Sequence, residues 1–555
     1  MKFSLNTRDK SSCFKNRKLT SYIENRNLGI QHSMHRLKTR WLRISCIAIL
    51  IAAANPVAAQ SVKPIFQYIV SVPEPSSHVY HVELHTLGWD QDTVVFKMPK
   101  WMPGYYQIMD YAKSIKNITA HDDEGNKIFI TSRNENSWSI GGIKNKSIIL
   151  SYDIKTDKKF VANSFVDESH AYIVPENSFM YADGFLELPV SVKVEMNSKW
   201  KDIATGLMVI KGHPFEFAAS NFDILYDSPL LIGNLEELPA FKIKGIEHRF
   251  IGYDIGSFDK IRFMNNLKKV VESAINIIGD IPYDRYTFIG IGPGQGGIEH
   301  LNNTVVSFNG NKLNSEKAEH SMMNFLAHEY FHNYNVKRIR PCELGPFNYD
   351  KENRTNQLWV SEGLTVYYEY LILKRAGFGD TKTMFSDLEA NINTVENNPG
   401  RFYQTLAQAS YNTWEDGPFG GQGEKINKSV SYYQKGPVVG LLLDFAIRNS
   451  TRNKKSLDDV MKLVYWEYYK NSNRGFTDAE FQQACETIAG KSLNSVFDYI
   501  YTTKELEYNT YLNYAGLRLD LKLNSQQEKK YTLNRISKPN LLQQEILRSW
   551  LQETN

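Results

Sequence analysis

The chain is poor in cysteine, in long apolar runs and in net charge. Four cysteines occur in 555 residues, and Cys13 and Cys46 fall within an N-terminal leader. Cys342 and Cys485 then remain, too few for a disulfide framework. A single bridge between those two suits an oxidising compartment, and the sequence leaves its formation open. No apolar stretch is long enough for a permanent membrane anchor, and no internal repeat marks a solenoid or propeller. The formal charge is only +4. Residues 1–59 hold 11 Lys and Arg against Asp9 and Glu24, so the remainder is acidic and nucleic acid is excluded as the expected partner.

What the leader does contain is ordered. From Met34, an alternative start, a basic run from His35 to Arg43 precedes apolar Ile44 to Ala54, and Val57 and Ala59 precede Gln60. This is the layout of a Sec-type secretory signal cleaved before Gln60, which predicts a periplasmic or secreted protein. Cys46 lies inside the apolar run, away from the cleavage point, so lipid attachment is not expected.

About 500 mature residues predict more than one domain. Residues 60–245 alternate in polarity, as in Tyr80, Val82 and Leu84, in Ile148, Leu150, Tyr152 and Ile154, and in Val190, Val192, Val194 and Met196. Alternation of this kind predicts half-buried antiparallel strands in an all-β, sandwich-like domain. Aromatics at Trp101, Tyr105 and Tyr106 serve as core or as a binding patch. Near Ser257 the period changes to that of a helix ending at Gly279. A strand from Tyr286 to Ile291 then opens into GPGQGGIEH. Its glycines lack the Lys-Ser or Lys-Thr of a phosphate loop, so nucleotide binding is rejected. Gly296 and Gly297 instead let backbone approach a substrate closely, with Glu299 on the cleft wall.

The densest chemistry lies between Asn324 and Glu369. On a helix capped at Asn314 or Ser315, His328 and His332 project from one face and can share one ion, with Glu329 beside them. A catalytic zinc uses three protein ligands and keeps a fourth position for water. Glu362, in a second helical run with Trp359 and Gly363, is the candidate third ligand. HExxH alone also fits paired core histidines. The basic run Val336–Pro341 offers cations either to a substrate carboxylate or to local acids, and both readings stand. DGPFGGQG, Asp416 to Gly423, is expected to border the site as a surface segment. Capping boxes at Ser456 with Asp459 and Thr477 with Glu480 begin later helices.

Several ordered motifs carry a resemblance: WMPGYY at Trp101, FVDESHAYI from Phe165, GGIEH from Gly296, HEYFHNYNVKRIRP from His328, LWVSEGLTVYYEY from Leu358 and SYYQKG from Ser431. Together they resemble the glycyl aminopeptidases, the sixty-first metallopeptidase family, from about residue 60 to 515. The resemblance implies a multidomain protein: an N-terminal antiparallel β-sandwich-like domain (60–245), then a thermolysin-like, mainly α-helical gluzincin domain (246–515). It implies His328, His332 and Glu362 as ligands of one Zn2+ per chain, Glu329 as general base, and Tyr433 as donor to the oxyanion, with Tyr432 the neighbouring alternative. Glu299, with Gly296 and Gly297, would bind the α-ammonium end of a peptide substrate.

Two departures are visible. Tyr334 stands where the family usually has tryptophan, and residues 516–555 are too few for a full PDZ domain. A short tail with an amphipathic helix, Leu541 to Leu551, is expected instead. The implied activity is removal of small N-terminal residues, Gly or Ala. An endopeptidase, an aminopeptidase of other specificity and a catalytically silent secreted peptide-binding protein are the alternatives.

Overall fold

The alternating segments of the N-terminal region do form strands, and their inward residues build one core. In this computed structural model, residues 63–423, 427–523 and 529–553 are described. The leader, with its signal segment, Cys13 and Cys46, lies outside the described residues. An eight-stranded sheet is centred on Ile65–Ser71, Val79–Leu87 and Ile148–Lys155. Phe66, Tyr68, Tyr80, Val82, Leu150 and Tyr152 face a four-stranded sheet through Val94, Phe96 and Ile140, which gives the sandwich. It is not wholly antiparallel. Ile65–Ser71 and Val190–Glu195 pair in parallel, an arrangement that alternation cannot reveal, because both pair types keep the two-residue period.

A second four-stranded sheet, containing His170–Ile173 and Leu230–Gly233, has two buried faces. Ala171, Ile173, Leu230 and Ile232 turn into the sandwich core. Tyr172 and Leu231 turn the other way, against Ile251, Ile289, Ile298 and Val305 of the region that follows. The two regions therefore meet through a shared apolar layer.

The expectation of a mainly helical catalytic region needs one addition. It opens with a mixed sheet in which Ile246–Gly252, Arg285–Gly290 and Asn303–Val306 run parallel, and Gly297–Glu299 pairs antiparallel at the edge. The helix Lys260–Ile278 crosses between the first two strands. Asp259 caps it by accepting from Arg262 N at 2.9 Å, and Gly279 ends it at φ 90°. Helices then dominate, including Glu316–Phe331, Leu364–Arg375 and Tyr432–Ser450. Both anticipated capping boxes are present.

The tail holds more than the expected helix. Leu517–Leu523 and Lys529–Arg535 pair antiparallel before the helix Leu541–Leu551. Ile546, Trp550 and Leu551 join the same core as the HExxH helix, and Trp550 Nε1 donates to Tyr367 Oη at 2.8 Å. Cys485 is a free buried thiol, so the bridge to Cys342 does not form. No helix among the described residues is long and apolar enough to cross a membrane.

Candidate metal centre and active site

Ser315, rather than Asn314, starts the HExxH helix: its hydroxyl accepts from Ala318 N at 3.2 Å. Met323, Leu326, Ala327, Tyr330 and Phe331 bury it, which gives the site a rigid support. His332 caps the helix at φ −59°, ψ −23°, still helical, so the four-residue spacing aligns both imidazoles. His328 Nδ1 is bonded to Glu369 Oε2 at 2.6 Å, and His332 Nδ1 donates to the carbonyl of Asn335 at 2.7 Å. With both Nδ1 protons so engaged, the two Nε2 atoms turn their lone pairs toward each other 3.0 Å apart. Two lone pairs at that distance call for a cation between them.

Glu362 supplies the third donor. Its Oε2 is 3.2 Å from His332 Nε2 and 3.7 Å from His328 Nε2, and it is buried with no hydrogen-bond partner. Two neutral imidazoles and a carboxylate, with donor atoms within 4.8 Å of one another, fit a zinc ion. Glu362 sits in a one-turn π-helix, Trp359–Gly363, a local widening found often at functional sites. There Gly363 crosses Gly436 so closely that a Cβ on Gly363 would lie 2.7 Å from the Gly436 Cα.

Glu329 is buried against the edge strand. A Cβ on Gly297 would lie 2.7 Å from Glu329 Oε1, so glycine at 297 makes room for the carboxylate. Burial, with added repulsion from Glu299 and Glu362, pushes the Glu329 carboxyl up to about 7 despite the two imidazoles. Glu299 lies two residues along the strand. It forms no ion pair among the described residues, and its Oε1 is buried without a hydrogen-bond partner. Gly104, from WMPGYY, passes so near that a Cβ there would meet Glu299 Oε2 at 2.7 Å. Gly296, at φ 85°, borders Val161 and makes the turn into this strand.

The tyrosine pair divides clearly. Tyr432 is fully buried and shares a 2.9 Å hydrogen bond with Thr413. The Tyr433 ring lies 6.1 Å from that of His328 at 29° and 5.3 Å from the ring of Phe419. Phe419, in the DGPFGGQG segment, is 66% exposed, so that segment borders the site as its composition suggested.

Lys337 and Arg338 of the basic run are engaged within the protein. Lys337 Nζ pairs with Asp227 Oδ1 at 2.8 Å. Arg338 donates to the carbonyls of Leu301, Asn333 and Pro282. Glu369 and Asn335, which orient the two histidines, escaped the sequence reading. Glu369 had a readable signal, because it lies seven residues after Glu362 and so on the same helical face.

This fold and donor set define a zinc metallopeptidase of the gluzincin, aminopeptidase type. The M61 peptidase N-terminal domain matches residues 67–234, and the M61 glycyl aminopeptidase domain matches residues 321–439. The chain belongs to the M61 glycyl aminopeptidase family. A crystal structure of an aminopeptidase N family protein from Idiomarina loihiensis is similar at TM-score 0.77 and 26% identity, over 83% of this chain and 80% of that one. A mutant M1 zinc metallopeptidase from Deinococcus radiodurans shares the fold at TM-score 0.50 and 12% identity, over 80% of this chain and 95% of that one. No curated protein sequence matches significantly.

Proposed function

We propose that the protein is an exported aminopeptidase that holds one zinc per chain and removes small N-terminal residues, glycine or alanine, from peptides. The observation that carries this reading is Glu299. It is a buried carboxylate with one oxygen unpartnered, near enough to Glu329 for its charge to act there. A carboxylate left unpaired in such a place suits a ligand cation, and the α-ammonium of a peptide is that cation.

His328, His332 and Glu362 would hold the metal. Zinc, when bound, supplies Lewis acidity that lowers the pKa of water to about 7 and polarises a carbonyl. Glu329 takes the proton from the attacking water and returns it to the leaving amine, a role suited to a carboxylate held beside that water. Tyr433 donates its phenolic hydrogen to the oxygen that gains charge during attack. Gly297 keeps the edge strand close to Glu329, so a peptide along that strand lies beside the base. Tyr106 is buried and lines the same cavity as Glu299, and an aromatic ring in that position suits a small first side chain. The signal-like leader supports export to the periplasm or beyond.

The test is hydrolysis of glycyl and alanyl amides against their N-acetylated counterparts. Free substrates should be cleaved and blocked ones refused; equal cleavage of both would sink the aminopeptidase reading. Export is tested by N-terminal sequencing of the mature protein, with Gln60 expected first.

A further inference from the structure

The strand that carries Glu299 is gripped from the N-terminal region, and the grip converges on one side chain. Asp227 follows the short helix Phe222–Tyr226, which Asn221 caps. Its Oδ2 accepts from the backbone N of Leu301 at 2.5 Å, and its Oδ1 lies 3.1 Å from His300 Nδ1. Lys337 Nζ approaches Oδ1 at 2.8 Å, and the Asp227 carbonyl accepts from Asn303 Nδ2 at 3.3 Å. His300 and Leu301 are the two residues after Glu299. The side chain of Asp227 is only 15% exposed and that of His300 2%.

Neighbouring contacts fix the same hairpin. Asn302 Nδ2 donates to the carbonyl of Gly206 at 3.2 Å, and Gly104 presses on Glu299 from the other side. Despite its burial, Asp227 keeps its carboxyl below the ordinary range, mainly through the charge of Lys337 and then through His300. A single ionised carboxylate of the N-terminal region thus meets GGIEH through His300 and NVKRIRP through Lys337.

We propose that Asp227 is the positioning residue for the α-ammonium subsite: by holding His300 and Leu301 it sets where the Glu299 carboxylate stands relative to the metal ligands. This rests on the reading of Glu299 given above. The N-terminal region then supplies part of substrate recognition as well as stability. Without the latch the Glu299 strand, an edge strand paired on one side only, is free to shift, and displacement of an ångström is enough to weaken a positioned charge contact.

The test uses the full zinc-loaded chain and two inhibitors with the same chelating group, alanine hydroxamate and propionohydroxamate, which differ in the α-ammonium. Wild type should bind the amine-bearing compound about 10- to 100-fold more tightly, the span of a charge-assisted hydrogen bond. Asp227→Asn should cut that ratio to near one while leaving the affinity for propionohydroxamate unchanged, and should raise KM for alanyl amides more than it lowers kcat. Should Asp227→Asn fold poorly, His300→Leu removes the latch from the other partner and should lower the ratio too, whereas His300→Asn, which keeps a donor near the Nδ1 position, should preserve it.

Equal weakening of both inhibitors, or an unchanged ratio in both Asp227→Asn and His300→Leu, overturns the proposal. Glu299→Gln separates the two readings. If it leaves the ratio intact, Glu299 does not bind the ammonium and both readings fall; if it collapses the ratio while the latch variants do not, only the latch fails.

Discussion

His328 and Glu369 are joined by a 2.6 Å hydrogen bond between Nδ1 and Oε2, and Asn324 fixes the other Glu369 oxygen at 2.6 Å. This outer carboxylate selects the tautomer that leaves His328 Nε2 bare for a metal. Partners of this kind are typically worth about 10- to 100-fold in metal affinity. Glu369→Ala should therefore lose zinc to a competing chelator at correspondingly lower concentration, with its fold retained by circular dichroism. Zinc retention equal to wild type would show that packing alone orients the ring.

Glu329 and Glu362 should separate on substitution. Glu329→Gln should keep its zinc and lose turnover by about 10²- to 10⁴-fold, the range of general acid–base catalysis. Glu362→Gln should lose both. Metal analysis beside alanyl amide hydrolysis gives the comparison, and chelation of wild type followed by zinc addition should abolish and restore activity.

Tyr433→Phe should lower kcat by about 10²- to 10³-fold, as expected when one oxyanion donor is lost. Tyr432→Phe should affect thermal stability, because its hydroxyl is already committed to Thr413. Reversed outcomes in the two variants would reassign the donor to Tyr432.

Gly363 and Gly436 bring the π-turn of Glu362 against the helix of Tyr433. Gly363→Ala places a Cβ 2.7 Å from both the Gly436 Cα and the Tyr432 carbonyl. Overpacking of this kind costs about 1–3 kcal/mol, and here it also parts a metal ligand from the oxyanion donor. A lowered Tm with a disproportionate fall in kcat is the expected pair of results.

His248 predicts an acid limb in stability. Burial pushes its imidazole down to about 4, against about 6.5 in an unfolded chain. Between those values the unfolded state binds more protons, so stability is full above pH 6.5 and falls as pH drops toward 4, by up to about 3 kcal/mol. His248→Gln, which keeps an acceptor for the Tyr283 hydroxyl, should lose less than wild type over that interval in urea unfolding.

The metal centre was legible because its geometry is local. Four-residue spacing, a serine cap and an apolar helix are written into consecutive residues, and Glu362 lies in a motif of its own. The strands of the sandwich were legible for the same reason, whereas the parallel pairing of Ile65–Ser71 with Val190–Glu195 depends on chain crossings that no local period records. The hairpin of Leu517–Leu523 with Lys529–Arg535 is readable in the alternation of leucine with charge along its first strand, although its partner strand is too polar to show the same period. The use of Lys337 was undecidable from sequence: its partner, Asp227, lies 110 residues away, and only the fold joins them.

The contact between Trp550 and Tyr367 has a consequence for biosynthesis. Tyr367 lies on the same helix as Glu369 and also donates to Asp444 at 2.7 Å, so the closing helix Leu541–Leu551 seals the core beneath the histidines. That seal cannot form before residues 541–551 have left the ribosome. A site lacking that seal is unfinished, so nascent chains halted before residue 541 should bind zinc more weakly than chains that include the helix.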